Sequence, residues 1–283
     1  MTAAAPPANV PLGIIAGSGA LPGLIAESCR ARGETYFILA LKGFADPSLM
    51  HGASGAWITM GEAARGFDLL KDAQVKRVVM IGGVKRPAFG DMVPDWRTAA
   101  FLARVVIHAL GDDGLLRAVI AEIEREGLRV VGIPDVAPDL LAPVGSLTRA
   151  PPGASWDQDV AIGLEAALDL GRADIGQAVV VANRAVIARE DRQGTDAMIA
   201  RVAASGRGRG AVLVKCKKPE QDPRADLPAI GPATVKACAD AGFSGIAVEA
   251  GATILIDRAE IIAAADAASL FVTGVRTPAV GAT

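Results

Sequence analysis

Short apolar runs and longer runs of helical period alternate along the chain from residue 11 onward. Pro11-Leu-Gly-Ile-Ile-Ala16 reads as a buried strand, and Gly17-Ser-Gly19 follows it directly. Leu21, Leu24, Ile25, Ser28 and Cys29 then fall on one face of a helix over Leu21 to Arg32, which Gly33 closes. Strands are predicted at Thr35 to Ala40, Ala56 to Met60 and Arg77 to Ile81, with a helix over Ala63 to Ala73. Helices over Trp96 to Leu110 and Leu115 to Glu126 are separated by Gly111-Asp-Asp-Gly114, and Arg129 to Ile133 is one more strand. This regular alternation predicts an α/β protein whose N-terminal domain is Rossmann-like, a parallel sheet clothed in helices.

Pro134 to Pro152 carries five prolines and little periodicity, so the domain boundary is expected near residue 150. That gives an N-terminal domain over 1–150 and a mixed α/β C-terminal domain over 151–283. The second half opens with a helix over Gln158 to Leu170. Strands Gln177 to Ala182 and Ala185 to Arg189 flank Asn183-Arg184, a hairpin turn. Thr195 or Asp196 is placed to cap a helix over Ala197 to Ala204. Gly210 to Lys215 is the next strand, and a helix over Ala233 to Ala241 follows the turn at Ile230-Gly-Pro. Ile246 to Ala250, Thr253 to Leu255 and a helix over Arg258 to Ala267 complete the pattern.

Composition narrows the function. Hydrophobic residues make up 51% of the 283, yet aromatics only 4%, so the core is built from Ala, Val, Ile and Leu. A net charge of −2 lacks the basic face that nucleic acid demands, and no nucleic-acid partner is expected. Three cysteines without CxxC spacing point to a reduced, cytoplasmic compartment and no structural zinc. The Ala/Pro-rich start has no basic or long apolar region, so a signal peptide is not expected. No uncharged apolar run reaches the roughly eighteen residues of a membrane span, although docking on a membrane face stays open.

The most chemically loaded stretch is Lys215-Cys-Lys-Lys-Pro-Glu-Gln-Asp-Pro-Arg-Ala-Asp-Leu-Pro-Ala-Ile-Gly231. It holds four cations, three carboxylates and three prolines at the end of a strand. If Pro223 and Pro228 keep it extended, period-two geometry puts Asp222, Arg224 and Asp226 on one face. Carboxylates hold Mg²⁺, while Lys215, Lys218 and Arg224 suit phosphate oxygens. A solvated charged loop is the competing reading. Gly17-Ser18-Gly19 is half a dinucleotide fingerprint, but Pro22 replaces the third glycine and no acid follows the second strand, so NAD(P) is not expected. The turn either presents phosphate to a helix N-terminus or is simply tight. Lys85-Arg86 after Gly82-Gly83 meets a phosphate or is an exposed turn, and Asp112-Asp113 binds metal or caps a helix. His51 and His108 are isolated and read as structural. Glu249 lies in an apolar strand, where a carboxylate has to be paired or functional.

Six motifs together carry a resemblance. They are Gly13-Ile-Ile-Ala-Gly-Ser-Gly-Ala-Leu-Pro22, Gly82-Gly-Val-Lys-Arg-Pro87, Gly111-Asp-Asp-Gly114, Gly194-Thr-Asp196, Lys218-Pro-x-Gln-Asp-x-Arg-x-Asp-Leu-Pro-x-Ile-Gly231 and Ile246-Ala-Val-Glu-Ala-Gly251. From about residue 11 to 275 the chain resembles the LpxI-type UDP-2,3-diacylglucosamine pyrophosphatases of lipid A biosynthesis. The resemblance implies Mg²⁺-dependent hydrolysis of a lipid-linked nucleotide sugar to UMP and diacylglucosamine 1-phosphate. It also implies two domains with substrate between them, a homodimer, and contact with the cytoplasmic face of the inner membrane. Carried over residue by residue, Asp226 and Asp222 become the metal and water-activating carboxylates, with Arg224 beside them. Lys215, Lys218 and Arg224 would hold the pyrophosphate, and Gly17, Ser18, Gly19 and Lys85 would lie near the nucleotide or phosphate. Gln221, Thr195, Asp196 and Glu249 would complete the pocket. Two other classes stay in play: a non-catalytic nucleotide-sugar or lipid binder, which would not need Asp226, and a nicotinamide oxidoreductase, which Pro22 opposes.

Overall fold

The computed structural model describes residues 10–84, 95–108, 111–150, 153–219, 221–224 and 226–277. They form two compact units. One runs to Ala137 and takes in Asp222 to Arg224, and the other holds Pro138–Gln221 and the chain from Asp226 on.

In the first unit the strands are β1 (Leu12–Ala16), β2 (Tyr36–Leu41), β3 (Gly55–Ile58), β4 (Arg77–Ile81) and β5 (Arg129–Val130). All pair in parallel, in the order β3-β2-β1-β4-β5. β1 therefore has a neighbour on each side, and Leu12, Ile14 and Ala16 are wholly buried. That burial is why its sequence is continuously apolar instead of alternating. The helices are α1 (Leu21–Ala31), α2 (Ala63–Asp72), α3 (Trp96–His108), α4 (Gly111–Arg125) and the single turn α5 (Ile133–Val136). α2 and α4 supply Phe67, Leu70, Ile120 and Ile123 to one core, where Phe67 meets Phe101 edge-on at 5.5 Å between ring centres. The chain steps outward through β2 and β3, then returns to the other side of β1 as β4. A doubly wound sheet binds ligands beside the strand ends at such a reversal.

In the second unit a six-stranded sheet has the order β6-β13-β11-β9-β7-β8. Its strands are β6 (Gly145–Ser146), β7 (Ala178–Ala182), β8 (Ala185–Arg189), β9 (Val212–Lys215), β11 (Gly245–Glu249) and β13 (Phe271–Val275). β9, β11 and β13 run parallel, while β6 and β7 pair antiparallel with their neighbours β13 and β9. A separate parallel pair joins β10 (Ala229–Ile230) to β12 (Ile254–Leu255). Alternation along β7 and β9 divides the core between the two faces of the sheet. Val179, Val181, Val212 and Val214 pack with Val160, Ala167 and Leu168 of α6 (Ala154–Arg172). Val180 and Leu213 face Met198, Val235 and Ile261, from α7 (Gly194–Ala204), α8 (Pro232–Asp240) and α9 (Arg258–Ala267).

Most expected elements are present, as is the expected class, a parallel sheet followed by a mixed one. Asn183 and Arg184 form the β7–β8 turn at φ 50° and 61°, and the buried Asp159 carboxylate accepts the Arg184 N–H at 2.6 Å. Some boundaries differ. Gly111-Asp-Asp-Gly114 is itself helical and forms the first turn of α4. The expected strand at 129–133 stops at Val130, because Pro134 and the Asp135 carboxylate, which accepts Gly132 N–H at 3.1 Å, start α5. Thr195 and Asp196 do not cap α7; they lie inside its first turn, behind Gln193. β6, β10 and β13 were not expected at all.

Candidate functional site

β9 delivers Lys215 to the C-terminal end of its sheet with only 8% of the residue exposed. Its ammonium donates to Thr195 Oγ1 and to the Ala229 carbonyl, both at 3.1 Å. One bond reaches the first turn of α7 and the other reaches β10. The Thr195 hydroxyl in turn donates to Glu190 Oε1 at 2.6 Å. Glu190 Oε2 accepts the Gln177 backbone N–H at 2.7 Å, just before β7. Burial pushes the Lys215 ammonium below its ordinary pKa, and the carboxylates of Glu190, Asp196 and Asp226 pull the other way. A buried cation with carboxylates around it is the arrangement that meets an anionic ligand without being neutralised. Glu190 is 7% exposed and was not among the sequence candidates. No spacing links residues 190, 195 and 215; only the strand order of the sheet does.

Downstream of Lys215 the loop is tied at several points. Glu249, at the end of β11, accepts the Lys217 backbone N–H at 2.8 Å and the Thr277 hydroxyl at 2.9 Å. The carboxylate in the apolar strand is thus paired, as desolvation demands. Burial, reinforced by Glu249, pushes the Cys216 thiol up to about 12, so it supplies no thiolate nucleophile. Lys218 Nζ donates to Asp174 Oδ1 at 2.6 Å. Gln221, 5% exposed, donates its Nε2 to Asp226 Oδ2 at 2.8 Å. Gln221 Oε1 is buried and has no hydrogen-bond partner among the described residues. Asp226 itself is exposed.

The piece between Gln221 and Asp226 is not extended. It turns at Pro223–Arg224, and Asp222 Oδ1 accepts both the backbone N–H and Nε–H of Arg224 at 3.0 Å. Arg224 Nη2 reaches Asp222 Oδ2 at 2.7 Å, and its Nη1 reaches Glu124 Oε1 on α4 at 3.0 Å. The expected period-two alignment of three side chains is therefore replaced by an Asp–Arg turn. The Arg224 guanidinium, with smaller help from Arg117, holds the Asp222 carboxyl below its ordinary value. Asp222 and Arg224 belong to the first unit, and Asp226, Gln221, Lys215, Lys218, Thr195, Asp196 and Glu249 to the second.

Gly17, Ser18 and Gly19 sit at the reversal of the first sheet. Gly17 N–H donates to Ile81 O at 2.8 Å, and Ser18 and Gly83 exchange backbone bonds at 2.9 and 3.0 Å. The Ser18 hydroxyl also donates to Gly83 O, at 2.9 Å. A Cβ at Gly17 would lie 2.7 Å from Gly83 O, and one at Gly82 (φ 94°) 2.6 Å from Ser18 O. These two glycines allow the turns after β1 and β4 to touch. Gly19, also at φ 94°, has an open side. α1 starts with no side-chain cap and no acid in its first turn, which suits an anion. Lys85 lies outside the described residues.

Among the described residues no three His, Cys, Asp or Glu side chains converge to hold a metal. Mg²⁺ needs no such cage, since it is often held by one or two carboxylates, waters and substrate phosphate. The exposed carboxylate of Asp226, beside the Gln221 amide, fits that kind of site. Among the described residues no helix is long and apolar enough to cross a membrane.

Models of the LpxI N-terminal and C-terminal domains match residues 11–140 and 143–273. The chain is also similar to the UDP-2,3-diacylglucosamine pyrophosphatase LpxI of Caulobacter vibrioides. The two are 42% identical over 272 residues, which cover 93% of this chain and 97% of that protein.

Proposed function

The chain belongs to the LpxI family, and from that premise we infer that it hydrolyses UDP-2,3-diacylglucosamine. Water adds across the pyrophosphate bond, giving UMP and 2,3-diacylglucosamine 1-phosphate, a step of lipid A biosynthesis. The single observation that carries this reading is the 42% identity over 93% of the chain. The site residues support it chemically.

A pyrophosphate must have its charge neutralised and a water aligned with the scissile P–O bond. Lys215, buried with carboxylates nearby, and Lys218 are the phosphate-binding cations. Arg224, aimed by Asp222, is a further cation suited to phosphate oxygens. Asp226 would hold Mg²⁺ together with phosphate oxygens, with Gln221 fixing its carboxylate. Bound there, the ion would polarise a phosphoryl oxygen and make the attacking water more acidic. The Gly17–Gly19 turn and the start of α1 receive the nucleotide part. On the same reading the enzyme works in the cytoplasm as a homodimer and meets its lipid substrate at the inner membrane face.

The test is incubation of purified protein with UDP-2,3-diacylglucosamine and Mg²⁺. UMP and the lipid phosphate should accumulate together. Tight binding with no UMP would overturn the hydrolase in favour of a nucleotide-sugar binder.

A further inference from the structure

We propose that Glu190 is a positioning residue that aims the Lys215 ammonium at the substrate through the Thr195 hydroxyl. The proposal rests on the hydrolase reading above and adds to it a residue that no motif marks.

Lys carries three N–H donors on a flexible stem, and on its own it is a poorly directed charge. Here two of the three donors are committed, to Thr195 Oγ1 and Ala229 O at 3.1 Å each. The remaining donor is then set in direction and available to an anionic oxygen. The weak link is Thr195, because a hydroxyl rotates and has a single proton. Its donation to Glu190 Oε1 at 2.6 Å settles the matter. With the proton turned to the carboxylate, the hydroxyl's lone pairs are left to accept from Lys215. Glu190 is in turn immobilised, since Oε2 takes the Gln177 N–H at 2.7 Å. All three side chains are more than nine-tenths buried, so these bonds are little screened. Lys215 feels Asp196 and Asp226 as well as Glu190, and the three carboxylates together oppose the effect of burial.

Glu190→Gln is the informative change. It keeps shape and can still accept from Gln177 N–H, but it then presents NH₂ to Thr195, a donor where an acceptor stood. The expected result is an unchanged Tm with kcat/KM for UMP release lowered roughly 10- to 100-fold, the size of one lost charge-assisted bond. Thr195→Val should cost a similar factor and Thr195→Ser should stay close to wild type. In the Thr195→Val background, Glu190→Gln should change kcat/KM by less than about twofold, because the relay is already cut.

A reading independent of substrate is the NMR titration of the Lys215 side chain, which Glu190→Gln should move to lower pH. If the wild-type protein releases no UMP, the hydrolase reading falls, and the titration alone decides whether Glu190 governs Lys215. The proposal is overturned by wild-type kcat/KM in Glu190→Gln, by an undiminished effect in the Thr195→Val background, or by an unmoved Lys215 titration. Should Glu190→Gln not fold, the Thr195→Val and Thr195→Ser pair reads the same relay from its other end, and equal activity of the two overturns it.

Discussion

Two strand ends of this molecule are built from opposite materials. β1 and β9 each run between two neighbours in their sheets, and each ends in a turn that carries candidate site residues. After β1 the turn is made of backbone: Gly17 and Gly82 touch because neither has a side chain, and Ser18 spends its hydroxyl on Gly83. After β9 the turn is made of side chains, with Lys215, Thr195 and Glu190 bonded in series. A backbone turn is specified by atoms that are missing, so adding one methyl group deforms it. A side-chain cluster is specified by donors and acceptors, so a same-shaped replacement leaves the fold and removes the chemistry. The first end should therefore fail by unfolding and the second by losing activity.

The strongest challenge to that contrast is Asp226→Ala. The exposed carboxylate contributes little to packing, so turnover should fall at least ~10²-fold, or roughly 3 kcal/mol in the barrier, by the measure of other lost electrostatic stabilisers. Stability should drop by only about 1 kcal/mol, because Gln221 loses the partner of its Nε2 in a buried position. Substrate binding should survive, because the substitution leaves the proposed phosphate contacts at Lys215 and Lys218 in place. Steady-state kinetics beside direct binding measures both quantities, and near wild-type turnover would remove Asp226 from the mechanism.

Next in size is a pair of glycine replacements on the first unit. Gly82→Ala meets both a left-handed φ of 94° and a backbone oxygen 2.6 Å from the new Cβ. Strain and overpacking together should cost roughly 3 kcal/mol. Gly19→Ala has the same φ of 94° but open space beside it, so backbone strain alone should cost about 1 kcal/mol. Urea unfolding compares the two. Equal costs would mean that the contact between the two turns is not what the glycines serve.

The same contrast separates what could be read from the sequence from what could not. β1, β4, β7 and β9 were legible because each is a dense apolar run buried on both faces, and burial is a property of the residues themselves. β6 and β10 are two-residue strands that exist only because a partner passes nearby, and a two-residue strand has no period. Phe271-Val-Thr-Gly-Val275 does have strand composition, and its β-branched residues are the signal, although it follows closely on α9. For the site, Lys215 was marked by its place at the end of an apolar run, and Glu249 by the cost of an unpaired acid there. Glu190 follows an unremarkable strand and acquires its meaning from Thr195, brought alongside by α7. The Asp222–Arg224–Asp226 alternation misled, because an Asp two residues before an N–H closes a turn on itself more readily than it stays extended.

The smallest effect concerns that turn, the part of the charged loop that belongs to the first unit. Arg224 is 37% exposed in its side chain and Asp222 17%, whereas Lys215 is nearly enclosed. Solvent screening should hold the contribution of the Asp222–Arg224 pair to about 0.5 kcal/mol, further reduced at high salt. Its sign follows from the carboxyl, whose folded pKa lies below the ordinary 3.8 because Arg224 binds the charged form. A carboxyl depressed in the folded state adds stability above its unfolded value and loses it as pH falls through the folded one. Arg224→Gln should thus be slightly less stable than wild type at pH 7, and the gap should narrow in the window below pH 3.8 and close once pH has fallen past the depressed folded value, where Asp222 is protonated in both. Stability of the two proteins measured at both ends of that window gives the answer. A gap that persists after Asp222 has been protonated would assign the guanidinium's role to packing and uncharged hydrogen bonds in the turn instead of to the charge of its acid.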